Sequence, residues 1–154
     1  MDASGPSGGI LLPDLLTLCR TAQSAADDVF TAARRRVTDM CSENGKVSGP
    51  LVDANQVAAH GLSWLATYVE GLRQMLGWAE RLEGAGQFGE MEQLMVQAAF
   101  GEYLAQIRGG IALSQVEIVR PADMGLTEGD MAPLDGAAAK TLIAGGNTPA
   151  LRAR

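Results

Sequence analysis

The chain has 154 residues, enough for one domain, and 18 acidic against 12 basic side chains give it a net charge of −6. This charge argues against generic binding to nucleic acid or to an anionic membrane, so neither is expected as a partner. Hydrophobic residues make up 47% of the chain and aromatic residues only 5%. Because apolar residues recur at helical spacing and strand formers are sparse, the sequence predicts an all-α fold: an antiparallel helical bundle of three long helices with one or two short extra helices.

The N-terminal part of the chain is predicted to be a tail followed by a long helix. Residues 1–9 are rich in Ser, Gly and Pro and are expected to form a flexible N-terminal tail. The helical bundle is predicted to span residues 10–121, and its first helix to run from about Pro13 to Cys41. The apolar stripe of this helix has gaps of three and four and consists of Leu12, Leu15, Cys19, Ala22, Ala26, Val29 and Ala33.

A second helix is predicted from an N-cap at Asp53, with Gln56 as the reciprocal capping partner, to Glu83. The turn-rich segment from Ser42 to Pro50 is expected to lead into it without a further element. One apolar seam of the helix consists of Leu62, Leu65, Val69, Leu72, Leu76 and Ala79. A second, flanking face consists of Trp64, Tyr68, Met75, Trp78 and Leu82. This helix is therefore predicted to sit between packing partners rather than on the outside.

The rest of the chain is predicted to contain one more long helix. It runs from about Glu90 to Arg108, and the side chains expected to point inward are Met91, Leu94, Met95, Ala98, Leu104 and Ile107. The segment from Ile111 to Pro121 fits a helix or a strand and is interpreted as a short helix. Residues 122–154 are predicted to be a Gly-rich C-terminal segment or linker with a short helix from Leu134 to Ala144.

The two cysteines and the hydropathy of the chain indicate a protein of the cytoplasm. Cys19 and Cys41 are too few for a disulfide framework or a metal-ligand cluster, and Cys19 falls on the apolar stripe of its helix. The N-terminus does not have the pattern of a secretory signal, and no apolar run approaches the length of a membrane-spanning helix. A cytoplasmic location is the expectation that follows.

Side chains that could carry catalysis are few. The only histidine, His60, has Ser63 three residues on and Glu70 further along the same predicted helix, but one helix does not supply an oxyanion hole. His60 is therefore interpreted as a packing residue. A di-iron bundle needs two Glu-x-x-His motifs, which a single histidine excludes. The sequence predicts no catalytic, cofactor-binding or metal-ligating residue.

Two other groups of residues allow a functional and a structural interpretation. The basic run from Arg34 to Arg36 could grip phosphate, but it is interpreted as a solvated helix face with Asp27 and Asp28 upstream. A larger set of apolar side chains could line an acyl or flavin pocket, although core filling is the preferred interpretation: Trp64, Met75, Trp78, Met91, Met95 and Tyr103. The surplus apolar faces favour a protein partner.

Two stretches, from His60 to Glu83 and from Gly86 to Leu126, resemble a known family. Their distinctive pieces are His60-Gly61-Leu62, Trp64-Leu65-Ala66-Thr67-Tyr68, Phe100-Gly101-Glu102-Tyr103-Leu104 and Glu117-Ile118-Val119-Arg120. These stretches look like the N-terminal helical extension of bacterial (2S)-methylsuccinyl-CoA dehydrogenases, flavin-dependent members of the acyl-CoA dehydrogenase family that act in the ethylmalonyl-CoA pathway.

The resemblance implies an accessory role rather than a catalytic one. In that family the FAD site, the acyl-CoA cleft and the catalytic glutamate belong to the dehydrogenase module that follows the extension. No such residue transfers to a position of this chain, so no cofactor is expected within it. The implied partner is an acyl-CoA dehydrogenase core, or a second copy through self-association. Two alternatives stay open: a part of an FAD-dependent enzyme that is active only with the missing module, and a small carrier of an apolar ligand.

Overall fold

A computed structural model describes residues 9–154 and confirms the all-α fold class. The predicted tail, apart from Gly9, lies outside the described residues. The helices are α1 (Leu15–Met40), α2 (Gly49–Ala54), α3 (Gln56–Gly84), α4 (Glu90–Gly109), α5 (Glu128–Met131), α6 (Ala137–Gly145) and α7 (Pro149–Arg152). The strands are β1 (Ser42–Glu43), β2 (Lys46–Val47), β3 (Ile111–Ala112) and β4 (Ile118–Val119). Three of the helices are long, as predicted, but residues 9–154 form four short α-helices instead of one or two, and two short 3-10 helices, Pro121–Met124 and Ala132–Asp135, as well.

The centre of the bundle is the packing of α1 against α3. The apolar stripe predicted for α1 is buried from Leu15 to Ala33, and Cys19, Ala22 and Ala26 are fully shielded from solvent. Small side chains at this contact let the two helices approach closely, and Leu65, Val69 and Leu72 of the predicted α3 seam fill the space opposite. None of the helices in residues 9–154 is both long and apolar enough to cross a membrane.

The junction between α1 and α3 differs from the prediction. Ser42–Glu43 pairs with Lys46–Val47 in a small antiparallel hairpin, whose turn residues Asn44 and Gly45 have positive φ angles of 51° and 75°. This Asn-Gly pair suits a two-residue hairpin turn, so the segment does contain another element.

The predicted N-cap at Asp53 is wrong, because Asp53 lies inside α2 and α3 begins at Gln56. Asn55 holds the corner instead: its side-chain amide donates to the carbonyl oxygens of Met40 and Leu51. The competing signal was Pro50, which suits the first turn of a helix and starts α2.

The predicted short helix from Ile111 to Pro121 is wrong, because the segment forms the antiparallel hairpin β3–β4. Gly110, with a φ of 134°, ends α4 and redirects the chain. Ile111 and Val119 are paired across the hairpin and buried, and Val119 packs so closely on α3 that only a glycine fits at position 61. β-branched residues favour strands, and here this preference decided an ambiguous pattern.

The inward face of α4 is rotated relative to the prediction. Leu94, Leu104 and Ile107 are buried as expected, but Met91 and Met95 are 63% and 49% exposed, so their inward assignment is wrong. The positions that are buried in addition are Val96, Gln97, Phe100 and Gly101. The rotation arises because α4 packs on α6 as well as on α3.

The C-terminal segment, residues 122–154, packs on the bundle instead of extending from it. Met124, Leu134 and Leu142 are at most 2% exposed and belong to the same core as α1 and α3. Helix α6 contacts both α1 and α4, and its end approaches α4 where Gly101 faces Gly146. The glycines that gave this segment a linker-like composition therefore permit close contact between backbones.

Candidate interaction surface

The structure does not bring His60, Ser63 and Glu70 together as a catalytic group. The indole N–H of Trp64 donates to Nε2 of His60 at 3.0 Å, whereas the Ser63 hydroxyl donates to the carbonyl oxygen of Ala59. Glu70 accepts instead from Arg73 and Gln74. Each polar side chain is thus engaged within its own helix, and His60 acts as an acceptor that orients Trp64.

The cysteines and acidic residues do not form a reactive site in the described part of the chain. Cys19 and Cys41 are free and buried, and burial raises the pKa of the Cys19 thiol to about 12. Cys19 is therefore a neutral thiol at physiological pH and a poor nucleophile. Residues 9–154 contain no cluster of three or more His, Cys, Asp or Glu side chains that could hold a metal ion.

The basic run of α1 has a structural role that its sequence did not reveal. Arg34 and Arg35 are exposed, in line with a solvated face, but Arg36 donates to Asp130 at 2.9 Å. Asp130 also accepts from the backbone N–H and the hydroxyl of Thr127. Arg36 is 38% exposed, so it is partly solvated as predicted, but its ion pair also fastens α5 to α1.

Asp130 predicts an acid-sensitive contact between α1 and α5. The hydrogen bonds from Thr127, followed by the one from Arg36, lower the pKa of Asp130 from 3.8 to about 2. Because the folded pKa lies below the unfolded one, the stabilisation is complete above about pH 4 and is lost between about pH 4 and 2. We expect Asp130→Asn to have a lower melting temperature than the wild type at pH 7. The difference in melting temperature should shrink as the pH falls from about 4 to 2. Thermal unfolding across a pH series measures this difference, with Asp39→Asn, at an exposed position, as the control. A difference in melting temperature that stays constant with pH would contradict the prediction.

An apolar surface, the aromatic–methionine face, lies on the outer side of α3 and α4. The α3 residues follow one another at gaps of three, four and seven, and the α4 residues at gaps of four and eight, all of which return to nearly the same side of a helix. Tyr68 and Tyr103 join the two helices by stacking, with ring centroids 4.5 Å apart. We define the face by Trp64, Tyr68, Met75, Trp78 and Leu82 of α3 together with Met91, Met95 and Tyr103 of α4.

The side chains of this face are either exposed or half-buried at the edge of the core. Met91, Met95 and Tyr103 are exposed, whereas Trp64 and Trp78 are half-buried and pack against the core with one side. On α3 the flanking face predicted from sequence is thus present. On α4 it was missed, although the spacing of Met91, Met95, Ala99 and Tyr103 by four residues was a signal for it.

A network of side-chain hydrogen bonds fixes the position of Tyr68. The Tyr68 hydroxyl donates to Gln106 at 2.7 Å, and Gln106 in turn donates to Glu102 at 2.6 Å. Asn147 donates to the second carboxylate oxygen of Glu102, which links the network to the C-terminal segment. The bonds from Gln106 and Asn147 lower the pKa of Glu102, while burial raises the pKa of Tyr68. The network therefore keeps Glu102 charged and Tyr68 protonated at neutral pH.

Two of the six side chains expected to line a pocket in the ligand-carrier alternative do not face inward. Met91 and Met95 point to solvent. Four of the surface depressions are lined by other side chains, around Arg35 on α1, Leu12, Arg120 and Val57. The aromatic–methionine face is therefore an open surface, which suits a macromolecular partner better than a small ligand.

Comparison with known proteins supports the resemblance seen in the sequence motifs. No family model matches the chain. Over 148 residues, 96% of the chain, the sequence is 53% identical to (2S)-methylsuccinyl-CoA dehydrogenase of Cereibacter sphaeroides. The chain matches a fragment of that dehydrogenase. Because the match covers 26% of the relative, the chain spans about a quarter of the length of (2S)-methylsuccinyl-CoA dehydrogenase. The likeness extends over α1 and the C-terminal segment as well as the motifs that first indicated it.

Proposed function

We propose that the chain is a non-catalytic helical accessory domain that packs on, or oligomerises with, a flavin-dependent acyl-CoA dehydrogenase module. One observation carries the proposal: identity of 53% over nearly the whole chain is confined to about a quarter of (2S)-methylsuccinyl-CoA dehydrogenase. We expect a sequence so similar to share the fold of that fragment. The fragment's neighbours in the relative are therefore the natural partners of this chain.

The positions of the polar side chains support an accessory role. His60 and Ser63 bond within their helix, and Cys19 is a buried thiol. The aromatic–methionine face supplies a surface for association. In this proposal FAD and (2S)-methylsuccinyl-CoA bind to the partner module, and the chain acts with it in the ethylmalonyl-CoA pathway of the bacterial cytoplasm.

A second candidate rests on the same match and makes the chain an obligatory part of the enzyme. In that case the module oxidises (2S)-methylsuccinyl-CoA only when this chain is bound. The two candidates differ in the activity of the module alone, because an accessory domain adjusts an existing activity whereas an obligatory part creates it.

The test is to produce the remaining three quarters of the Cereibacter sphaeroides relative as a separate tagged polypeptide, alone and together with this chain. We expect the chain to co-purify with the module, and light scattering during size-exclusion chromatography to give a fixed stoichiometry. Visible flavin absorbance reports whether the module is folded. A module that carries flavin and elutes apart from a monomeric chain would contradict the proposal. Assays with (2S)-methylsuccinyl-CoA on both samples then separate the accessory role from the obligatory one.

A further inference from the structure

We infer that the aromatic–methionine face is the surface on which the dehydrogenase module docks, and that the module contributes a helix to it. This inference rests on the proposed function and adds the location and chemistry of the contact. It commits to one occupant, the part of the relative outside the matched quarter. A second copy of this chain is the competing occupant, which the experiment below distinguishes.

The composition of the face is that of an interface core. Although the chain has only 2 Trp and 2 Tyr residues, all four lie on this face, together with 3 of its 7 methionines. Aromatic residues and Met are enriched at the centres of protein interfaces, where charged residues are depleted. The adjoining face of α3 differs sharply, because it presents Ser63, Thr67, Glu70 and Gln74 to solvent.

The shape of the face suits a helix. On α3 the face runs from Trp64 to Leu82 with gaps of three, four and seven, which at 1.5 Å per residue gives a seam of roughly 27 Å. Helices α3 and α4 lie side by side, and their opposite sides already pack against α1 and α6. Another helix laid along this seam would meet ridges and grooves of the spacing that helix packing requires.

Contacts within the domain fix the aromatic side chains of the face before any partner binds. Trp64 meets Tyr68 edge to face with centroids 6.3 Å apart, and Tyr68 stacks on Tyr103. The bonds from Trp64 to His60 and from Tyr68 to Gln106 hold these rings further. A surface that is ordered before association loses less conformational entropy when it binds.

Charge and chain length favour the dehydrogenase module over a second copy. Two copies would each carry a net charge of −6 over the whole chain, which opposes their association. About three quarters of the 53%-identical relative lies outside the match, so a much larger polypeptide accompanies this fragment in that protein. Such a partner is long enough to supply the helix that the face would take.

Matched substitutions test the face. Met95 and Val47 are 49% and 70% exposed, and they lie on different elements, α4 and β2. Met95→Glu and Met95→Lys place charges of opposite sign in the face, whereas Val47→Glu and Val47→Lys make the same changes at an exposed control position. We expect both Met95 variants to raise the Kd for the module by roughly 30-fold, and both Val47 variants by less than about twofold. The free variants should keep their circular dichroism, because both side chains are exposed.

The outcomes separate the inference from the proposed function. If wild-type chain binds the module and the Met95 variants bind equally well, the face is wrong and the proposed function stands. If wild-type chain does not bind the flavin-bearing module, the proposed function fails. If the free chain dimerises and Met95→Glu dissociates that dimer, the occupant is a second copy and the inference is overturned. Opposite effects of Met95→Glu and Met95→Lys would indicate charge steering instead of burial and would also overturn it.

Discussion

Gly101→Ala should lower the free energy of unfolding by about 2–3 kcal/mol, although alanine is the better helix former. A Cβ at position 101 would lie 2.6 Å from the Cα of Gly146 and 2.8 Å from the carbonyl oxygen of Leu142. Both obstacles are backbone atoms of the α6 region, so relief requires α6 to move away from α4. Urea unfolding followed by circular dichroism measures the change.

The control for this substitution is Gly71→Ala in α3. A Cβ there would meet only the ring of Tyr103, at an ordinary contact distance of 3.8 Å. Alanine should therefore leave stability unchanged or raise it by up to about 1 kcal/mol. Equal stabilisation by both substitutions would show that α6 does not pack on α4 at Gly101.

Gln97→Leu is the second substitution with a large expected effect, a loss of about 3 kcal/mol. Gln97 is completely buried, and its side-chain amide donates to the carbonyl oxygens of Ile10 and Gly145. Its Oε1 accepts from the backbone N–H of Leu12 at 2.7 Å. Leucine has a similar volume but leaves these groups without their partner, and an unsatisfied buried polar group costs about 1–3 kcal/mol.

Two measurements give this prediction its specificity. Denaturant unfolding gives the loss of stability, and hydrogen exchange of the Leu12 amide reports whether the segment before α1 has been released from α4. The exposed Gln74→Leu, which breaks only a surface bond to Glu70, should change stability by less than about 0.5 kcal/mol. If Gln97→Leu behaved like this control, Gln97 would not fasten the N-terminal segment.

The parts of the fold that the sequence predicts are those stabilised by local periodicity. The apolar seams of α1 and α3 recur every three or four residues, and the bounds predicted for α1 and for the end of α3 agree with the structure within two residues. The predicted bounds of α4 are right, but the predicted rotation of α4 about its own axis is wrong. Two methionines at helical spacing fit a core as well as an exposed face, and only the docking of α6 decides between them.

Contacts between residues far apart in the sequence cannot be predicted from local sequence patterns. Gln97 binds residues 85 and 87 positions earlier in the chain, and Gly101 meets Gly146. From sequence alone, a glutamine is assigned to the surface and a glycine-rich segment is assigned to a linker. Only the segment of the chain that packs against each one reveals that it is buried. The aromatic–methionine face shows the same division: its α3 half followed from spacing, whereas the four-residue spacing of its α4 half fits a core as well, and the Tyr68–Tyr103 stack decides for the face.

In our proposal this domain associates with a dehydrogenase module through the aromatic–methionine face. The most direct measurement is hydroxyl-radical footprinting of a chimera in which this chain replaces the matched quarter of the Cereibacter sphaeroides dehydrogenase. Methionine and tryptophan react rapidly, so Met91, Met95 and Trp78 report on the face itself. We predict that all three are protected several-fold relative to the isolated chain, while Val47 is unchanged. Equal labelling of Met91, Met95 and Trp78 in a flavin-bearing chimera and in the isolated chain would contradict the account.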